Sequence, residues 1–591
     1  MIAAALGVAC GSSKVVPLQK PADGGSNATE VMIPAAPVDA AIVLPPGDGP
    51  AAAPSEVTGE LSCGAPMMKN MPGNAGCKFF VAEPLMTGAA GCYALVVVNP
   101  GTRRAKLNLE RAGETFVLDQ VARLPRGSGE RLTYEPFDNA AGLAPGEVAI
   151  LFLAGQGTGP GTGPNDNGCP LGTTGAVPST TNKVRTSHIG QSFQLTSDQP
   201  VVAYDINPFG GVYSYLSSAS LLIPVESWSG NYVAAVPPHA VPTLVGKSGG
   251  MYDTFVMIVA SEDDTEVTVR APVPTAGGTG VPATAAGRTL RLRLNAGQFA
   301  QVMETNAVPA TPPGMSGTLI SANKPVGVIG GSPCLFLPVG ATACDAAHQQ
   351  IPPLSSWGHE YAAIPHRTRL ASLKEESVPW QIVAAVDGTV LSYLPRTPTA
   401  NAPPAAMNTV PPPTTLAAGQ TVQFWTDEPF VVRSQDAAHP IHISGMMTGG
   451  HFMQLERQGS GRSSGDPEFV NTIPTDQFKT DVTFFTDPTY PETTLVVVRK
   501  PGADGRFADV KLGCTTTPIG GWSALGSLEF TRVDLVKSRH QPVIPGCDNG
   551  VHRMTSTAPF SITVWGTGPV VSYAYPGGTA LRPINDVVVV P

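Results

Sequence analysis

A polar turn and a proline set directly before an apolar strand recur four times in this chain, and this motif constrains its architecture more than any other feature. It reads Thr196-Ser-Asp-Gln-Pro-Val201, Ser321-Ala-Asn-Lys-Pro-Val326, Trp425-Thr-Asp-Glu-Pro-Phe430 and Thr555-Ser-Thr-Ala-Pro-Phe560. Its prolines stand at 200, 325, 429 and 559, giving intervals of 125, 104 and 130 residues. A period of that size is a whole structural unit, so four repeats are expected.

The segments between the motifs are strands. Tyr93-Ala-Leu-Val-Val-Val98, Thr254-Phe-Val-Met-Ile-Val-Ala260 and Thr494-Leu-Val-Val-Val498 are β-branched or aromatic runs. Turns such as Asn99-Pro100-Gly101 or Glu262-Asp263-Asp264 follow, then alternating stretches such as Glu266-Val-Thr-Val269, a pattern that predicts hairpins. Proline-stopped strands recur as well: Phe79–Pro84, Tyr232–Pro237, Tyr361–Pro365 and Phe484–Pro488. Gly-containing turns, Asn295-Ala-Gly-Gln298 and Ala417-Ala-Gly-Gln420, read as further hairpins. With Gly at 65 and Pro at 60 of 591 positions, long helices are disfavoured. The expected fold is all-β: four repeats of about 105–130 residues in a propeller-like ring of antiparallel sheets, or four tandem β-sandwiches.

The ends differ from the body. Met1-Ile-Ala-Ala-Ala-Leu-Gly-Val-Ala-Cys10-Gly-Ser-Ser13 reads as a truncated lipoprotein-type signal over 1–10, with Cys10 as the lipidated residue. Residues 11–60, rich in Pro, Ala and Gly and without periodicity, read as a tether. The repeat domain then occupies 61–591, divided near 61–228, 229–357, 358–477 and 478–591. An export reading makes the eight remaining cysteines disulfide candidates. Cys334 with Cys344 and Cys514 with Cys547 are the short-range pairs, leaving Cys63, Cys77, Cys92 and Cys169 to pair among themselves in an order the sequence leaves open. A net charge of −9 without a Lys/Arg cluster gives no footprint for nucleic acid, and no apolar run is long enough to span a bilayer. The membrane is reached only through the N-terminal lipid.

Four groups of residues carry chemistry worth weighing. Gly461-Arg-Ser-Ser-Gly465 fits a nucleophile elbow, but it sits in a Gly/Ser-rich loop without the strand and helix that strain the turn. Asp436, His439 and His442 are metal-ligand types, yet Pro440 and the strand-like Ile441–Ser444 put the two histidines on opposite faces. Glu262-Asp263-Asp264 and Asn165-Asp-Asn-Gly168 read as turns rather than calcium loops. Trp228, Trp357, Tyr232 and Tyr361 recur at equivalent places, as core residues do. No catalytic residue, cofactor or metal site is assigned. Loops Gly155–Asn167, Pro272–Gly287 and Arg396–Thr415 are the expected recognition surface.

The stretch Ser316–Val328, continued through Cys334, Pro338-Val-Gly-Ala341, Cys344-Asp345, His348-Gln-Gln-Ile-Pro-Pro353 and Trp357-Gly-His-Glu-Tyr361, resembles the N-terminal domain of the IgGFc-binding protein family. The final Tyr573-Ala-Tyr-Pro-Gly577 and the first repeat look like its bacterial members, so the resemblance runs roughly from Leu61 to Pro591. It implies a cell-surface or extracellular binding or adhesion protein, non-catalytic, with a protein or glycoprotein ligand. A structural envelope spacer and a hydrolase with a loop-built site are the alternative readings.

Overall fold

The computed structural model describes residues 63, 73–86, 91–127, 131–159, 168–214, 216–238, 252–305, 314–338, 344–369, 375–401, 410–450, 465–538 and 540–591. They belong to one compact body within Ala41–Pro591. The signal reading with Cys10, and the 11–60 tether, lie outside the described residues.

The body is all-β, in multiple antiparallel sheets. Four long strands organise it: Phe193–Asn207, Leu319–Leu335, the interrupted pair Phe430–Ser434 and Ile441–Met447, and Val551–Gly568. Each is flanked by two strands, which beside the first, second and last the sequence reads as a hairpin, and here the structure differs. Phe255–Ala260 and Thr265–Arg270 do not pair with each other; they lie end to end along one long strand, against Val326–Gly331 and Leu319–Ala322 respectively. The turn Ser261–Asp264 is therefore a corner at which the chain passes between sheets. The turn at Asn295–Gln298 does the same: Thr289–Leu294 pairs with Thr265–Arg270, whereas Gln298–Met303 pairs with Phe255–Ala260. Tight-turn residues suit a sheet corner as well as a hairpin, which is why the local pattern misleads.

The same pairing recurs around the other long strands. In the third group the two layers separate into distinct four-stranded sheets. Burial follows from this layering. Phe255–Ala260 is buried on both faces, whereas Thr289–Leu294 alternates exposed and buried because one of its faces meets solvent.

Pro200, Pro325 and Pro559 stand in the middle of long strands, where each strand bends from one layer to the other. A residue without an N–H is tolerated there because the ladder changes partners. The third such proline is Pro440, not Pro429. Ala384 faces Ile441 as Ala260 faces Val326, so Pro440 is the counterpart of Pro325. The intervals become 125, 115 and 119 residues.

Each long strand pairs with a short inner strand: Ser218–Leu221, Asp345–Ile351, Glu468–Asn471 and Val571–Pro576. The first of these lies against the second and the fourth, and the third lies against the same two, so the inner strands form a cycle. Apolar clusters fill all four junctions. Phe80, Trp228 and Phe255 meet at the first, Leu335, Phe336 and Met446 at the second, and Val431, Val496 and Trp565 at the third. At the fourth, Val96 and Tyr204 of the first group share a core with Leu495 and Tyr575 of the last. The layered groups thus pack head to tail, first against last. Disulfides join Cys63 to Cys77, Cys92 to Cys169, Cys334 to Cys344 and Cys514 to Cys547.

Candidate functional site

The inner strands bring together polar residues that the sequence does not mark as a group. His348 Nε2 lies 3.0 Å from Asp205 Oδ1, and Tyr93 donates its hydroxyl to Asp205 Oδ2 at 3.0 Å. Between neighbouring strands, the His348 N–H donates to Ser218 Oγ at 3.1 Å and the Gln350 N–H to Ser220 Oγ at 2.8 Å. Gln349 Nε2 donates to the Ala219 carbonyl at 2.8 Å and to the Ala574 carbonyl at 3.2 Å. Asn471 Nδ2 donates to the Gln350 carbonyl at 3.0 Å, and the Ser572 N–H reaches Asp345 Oδ2 at 3.3 Å.

Two carboxyls within this axis are held well above the usual range. Burial raises Asp345, and the charges of Asp466 and Glu468 raise it further; burial also raises Glu468. One oxygen of each, Asp345 Oδ1 and Glu468 Oε2, has no hydrogen-bond partner among the described residues. Perturbed acids of this kind often mark an active site. These are fully buried, and their contacts run from strand to strand, so they act as a polar axle for the cycle. The sequence signal that could have found it is Asp345-Ala-Ala-His-Gln-Gln350, a strand carrying polar side chains on both faces.

The residues singled out from sequence fall in separate places. Asp436 and His439 share an exposed corner, with His439 Nδ1 2.7 Å from Asp436 Oδ1, while buried His442 lies 3.0 Å from Asn471 Oδ1 and packs against Trp357. Asp263 Oδ1 accepts the Ala296 N–H, and Asp264 pairs with Arg293 at 2.9 Å, so both carboxylates serve a sheet corner. Trp228 and Trp357 donate their indole N–H groups to the Ile223 and Pro352 carbonyls. The Tyr232 and Tyr361 hydroxyls donate to the carbonyls of Val326 and Ile441, each the residue after a strand-bending proline. Only Gly465 of the 461–465 elbow and Gly168 of the 165–168 turn are described. The Pro272–Gly287 loop is described and mostly exposed, whereas parts of 155–167 and 396–415 lie outside the described residues. Among the described residues, no group of three or more His, Cys, Asp or Glu is placed to hold a metal ion.

A solvent-facing concavity of about 560 Å³ opens where the C-terminal segment crosses the second group. The Ile584 N–H donates to the Ser355 carbonyl at 2.8 Å, and Asn585 Nδ2 donates to the carbonyls of Leu354 and Trp357. Asn231 then clasps Val589 with both halves of its amide: Nδ2 donates to the Val589 carbonyl at 2.6 Å, and Oδ1 accepts its N–H at 2.9 Å. Val588 and Val590 face outward, 60% and 57% exposed. Ser229, Asn231, Ser321 and Ser355 line the other wall, and Asp586 is the one titratable side chain of the lining. Such a surface offers methyl groups and amide hydrogen bonds but no nucleophile paired with a base. Asn231→Ala should free residues 586–591, raising their amide hydrogen exchange at least tenfold while protection of the inner strands stays unchanged.

A family model described as IgGFc binding protein matches residues 218–566, which is 349 of the 591 residues and runs from the first inner strand into the last long strand. No curated protein matches the chain.

Proposed function

Because the chain belongs to the IgGFc binding protein family, we propose that it is a cell-surface adhesion protein that captures a protein or glycoprotein ligand through the concavity beneath its C-terminal segment. The family supports an extracellular, protein-binding role without catalysis, and four disulfides fit an exported chain. The observation that carries the reading is the contrast between the two polar regions. The acids that could do chemistry are sealed along the axis, while the open concavity carries recognition groups.

In this reading residues 61–591 form a four-repeat body, divided near 228, 357 and 477. The 11–60 segment serves as its tether, and Cys10 carries the lipid that fixes it to the outer membrane or cell surface. The disulfides brace the body outside the cell.

The test is capture by the immobilised full-length protein, with immunoglobulin Fc as the first probe and a panel of extracellular glycoproteins as the second. Binding that falls at least tenfold in Val588→Asp, with the melting transition unchanged, supports the concavity as the site. Absence of capture across both probes favours a spacer role, and turnover of a hydrolase substrate favours a loop-built active site.

A further inference from the structure

Asn74 and Lys479 meet where the first group of strands packs on the last. Asn74 directly precedes strand Ala75–Val81, and Lys479 opens strand Lys479–Phe485. Lys479 Nζ donates to Asn74 Oδ1 at 3.0 Å. The same oxygen accepts the Thr579 N–H at 3.3 Å, so two donors polarise one buried amide carbonyl. Beside them lies a cavity of about 200 Å³ lined by Asn74, Lys479, Asp481 and Val482. Arg553 holds the Asp481 carboxylate in place, with Nε 3.0 Å from Oδ1. Burial lowers the Lys479 ammonium, against the opposing charge of Asp481, which favours the neutral amine that a nucleophile requires.

We propose that Lys479 and Asn74 form an intramolecular isopeptide bond that closes the cycle covalently. The Lys479 ammonium gives a proton to water in the cavity that Asp481 borders, and the free amine attacks Asn74 Cγ. The Nζ–Cγ bond forms and the Cγ–Nδ2 bond breaks. That proton returns through the cavity water to the departing nitrogen, and the second amine proton leaves with it. An ammonium and an amide become a secondary amide and one ammonium ion, with no change of oxidation state. The cavity gives the ammonia a place to go. The linkage adds to the adhesion reading without depending on it.

Intact mass spectrometry of the full-length protein, reduced and alkylated, tests this without any variant. The expected mass is below that of the unlinked chain by one ammonia. Proteolysis should then yield a branched peptide containing both Asn74 and Lys479, uncut by trypsin at Lys479. Lys479→Arg keeps the positive charge and should restore the full mass, as should Asn74→Ala, while Asp481→Asn should leave the chain mostly unlinked. An unshifted mass with separate Asn74 and Lys479 peptides overturns the proposal. A loss of ammonia mapped to any other pair overturns it equally.

Discussion

Replacing Arg369 with methionine should cost about 3–5 kcal/mol of stability, because it strands a buried carboxylate. The Arg369 and Glu376 side chains are 3% and 0% exposed. Arg369 bonds Glu376 through Nε at 3.2 Å and also through Nη2, and it donates to the Thr448 carbonyl at 2.8 Å and to Thr448 Oγ1 at 2.7 Å. Burial alone would push Glu376 up, but the charges of Arg369 and His366, with the Arg369 hydrogen bonds, hold it down to about 2. Methionine fills comparable volume and removes the charge. The denaturant midpoint should drop sharply, and adding Glu376→Gln should recover part of the loss. If the single variant and wild type share one midpoint, the pair does not contribute to the stability of the fold.

The second large effect is on pH dependence, and it has two limbs. His366, His442 and His552 are pushed down to about 4 by burial, against the opposing influences of Glu376, Asn471 and Asp548 respectively. A folded pKa below the unfolded one means that the unfolded chain binds the extra protons. Stability from these groups is therefore complete above about pH 6.5 and is lost as pH falls toward 4. Asp345 and Glu468 act in the opposite sense. Their folded values lie above the unfolded ones, so their contribution is complete below about pH 4 and is lost as pH rises toward the folded values. Each proton bound only by the folded state changes stability by about 1.4 kcal/mol per pH unit. Above about pH 6.5, where the histidine contribution is complete, stability should therefore decline toward the folded values of these acids, and Asp345→Asn combined with Glu468→Gln should flatten that decline and, because the same acids oppose the histidines between about pH 4 and 6.5, steepen the acid limb. Parallel alkaline limbs in the variant and wild type would show that the axial acids do not titrate with folding.

What the sequence discloses is what adjacent residues decide. Val and Ile runs announce strands because their side chains suit a pleated, buried surface, and Phe255–Ala260 and Glu492–Arg499 lie where such runs stand. Corners and hairpins use the same turn residues, so Glu262-Asp263-Asp264 cannot say which strand comes next to which. The third strand-bending proline was displaced for a related reason. Asp427-Glu-Pro-Phe430 imitates the motif beside the strand it precedes, while the true bend at Asp436–Ile441 carries two extra residues and a histidine that draws attention to metals. The axle was hidden more deeply. His348, Gln349 and Gln350 find their partners at separations of 121 to 225 residues along the chain, and no local period records such distances.

The meeting of first and last groups also determines how the body would carry tension. Strand Ala75–Val81 runs antiparallel along Phe193–Val202, with its hydrogen bonds across the strand direction. A pull on the chain ahead of Asn74 therefore loads these bonds in shear, all together, rather than peeling them one at a time. Ala75 of this strand packs on the core shared with the last group and Phe80 on the cluster shared with the second, so the load passes into two neighbours at once. A body held from one end while its ligand is dragged by flow would resist as a hoop, not as beads on a string.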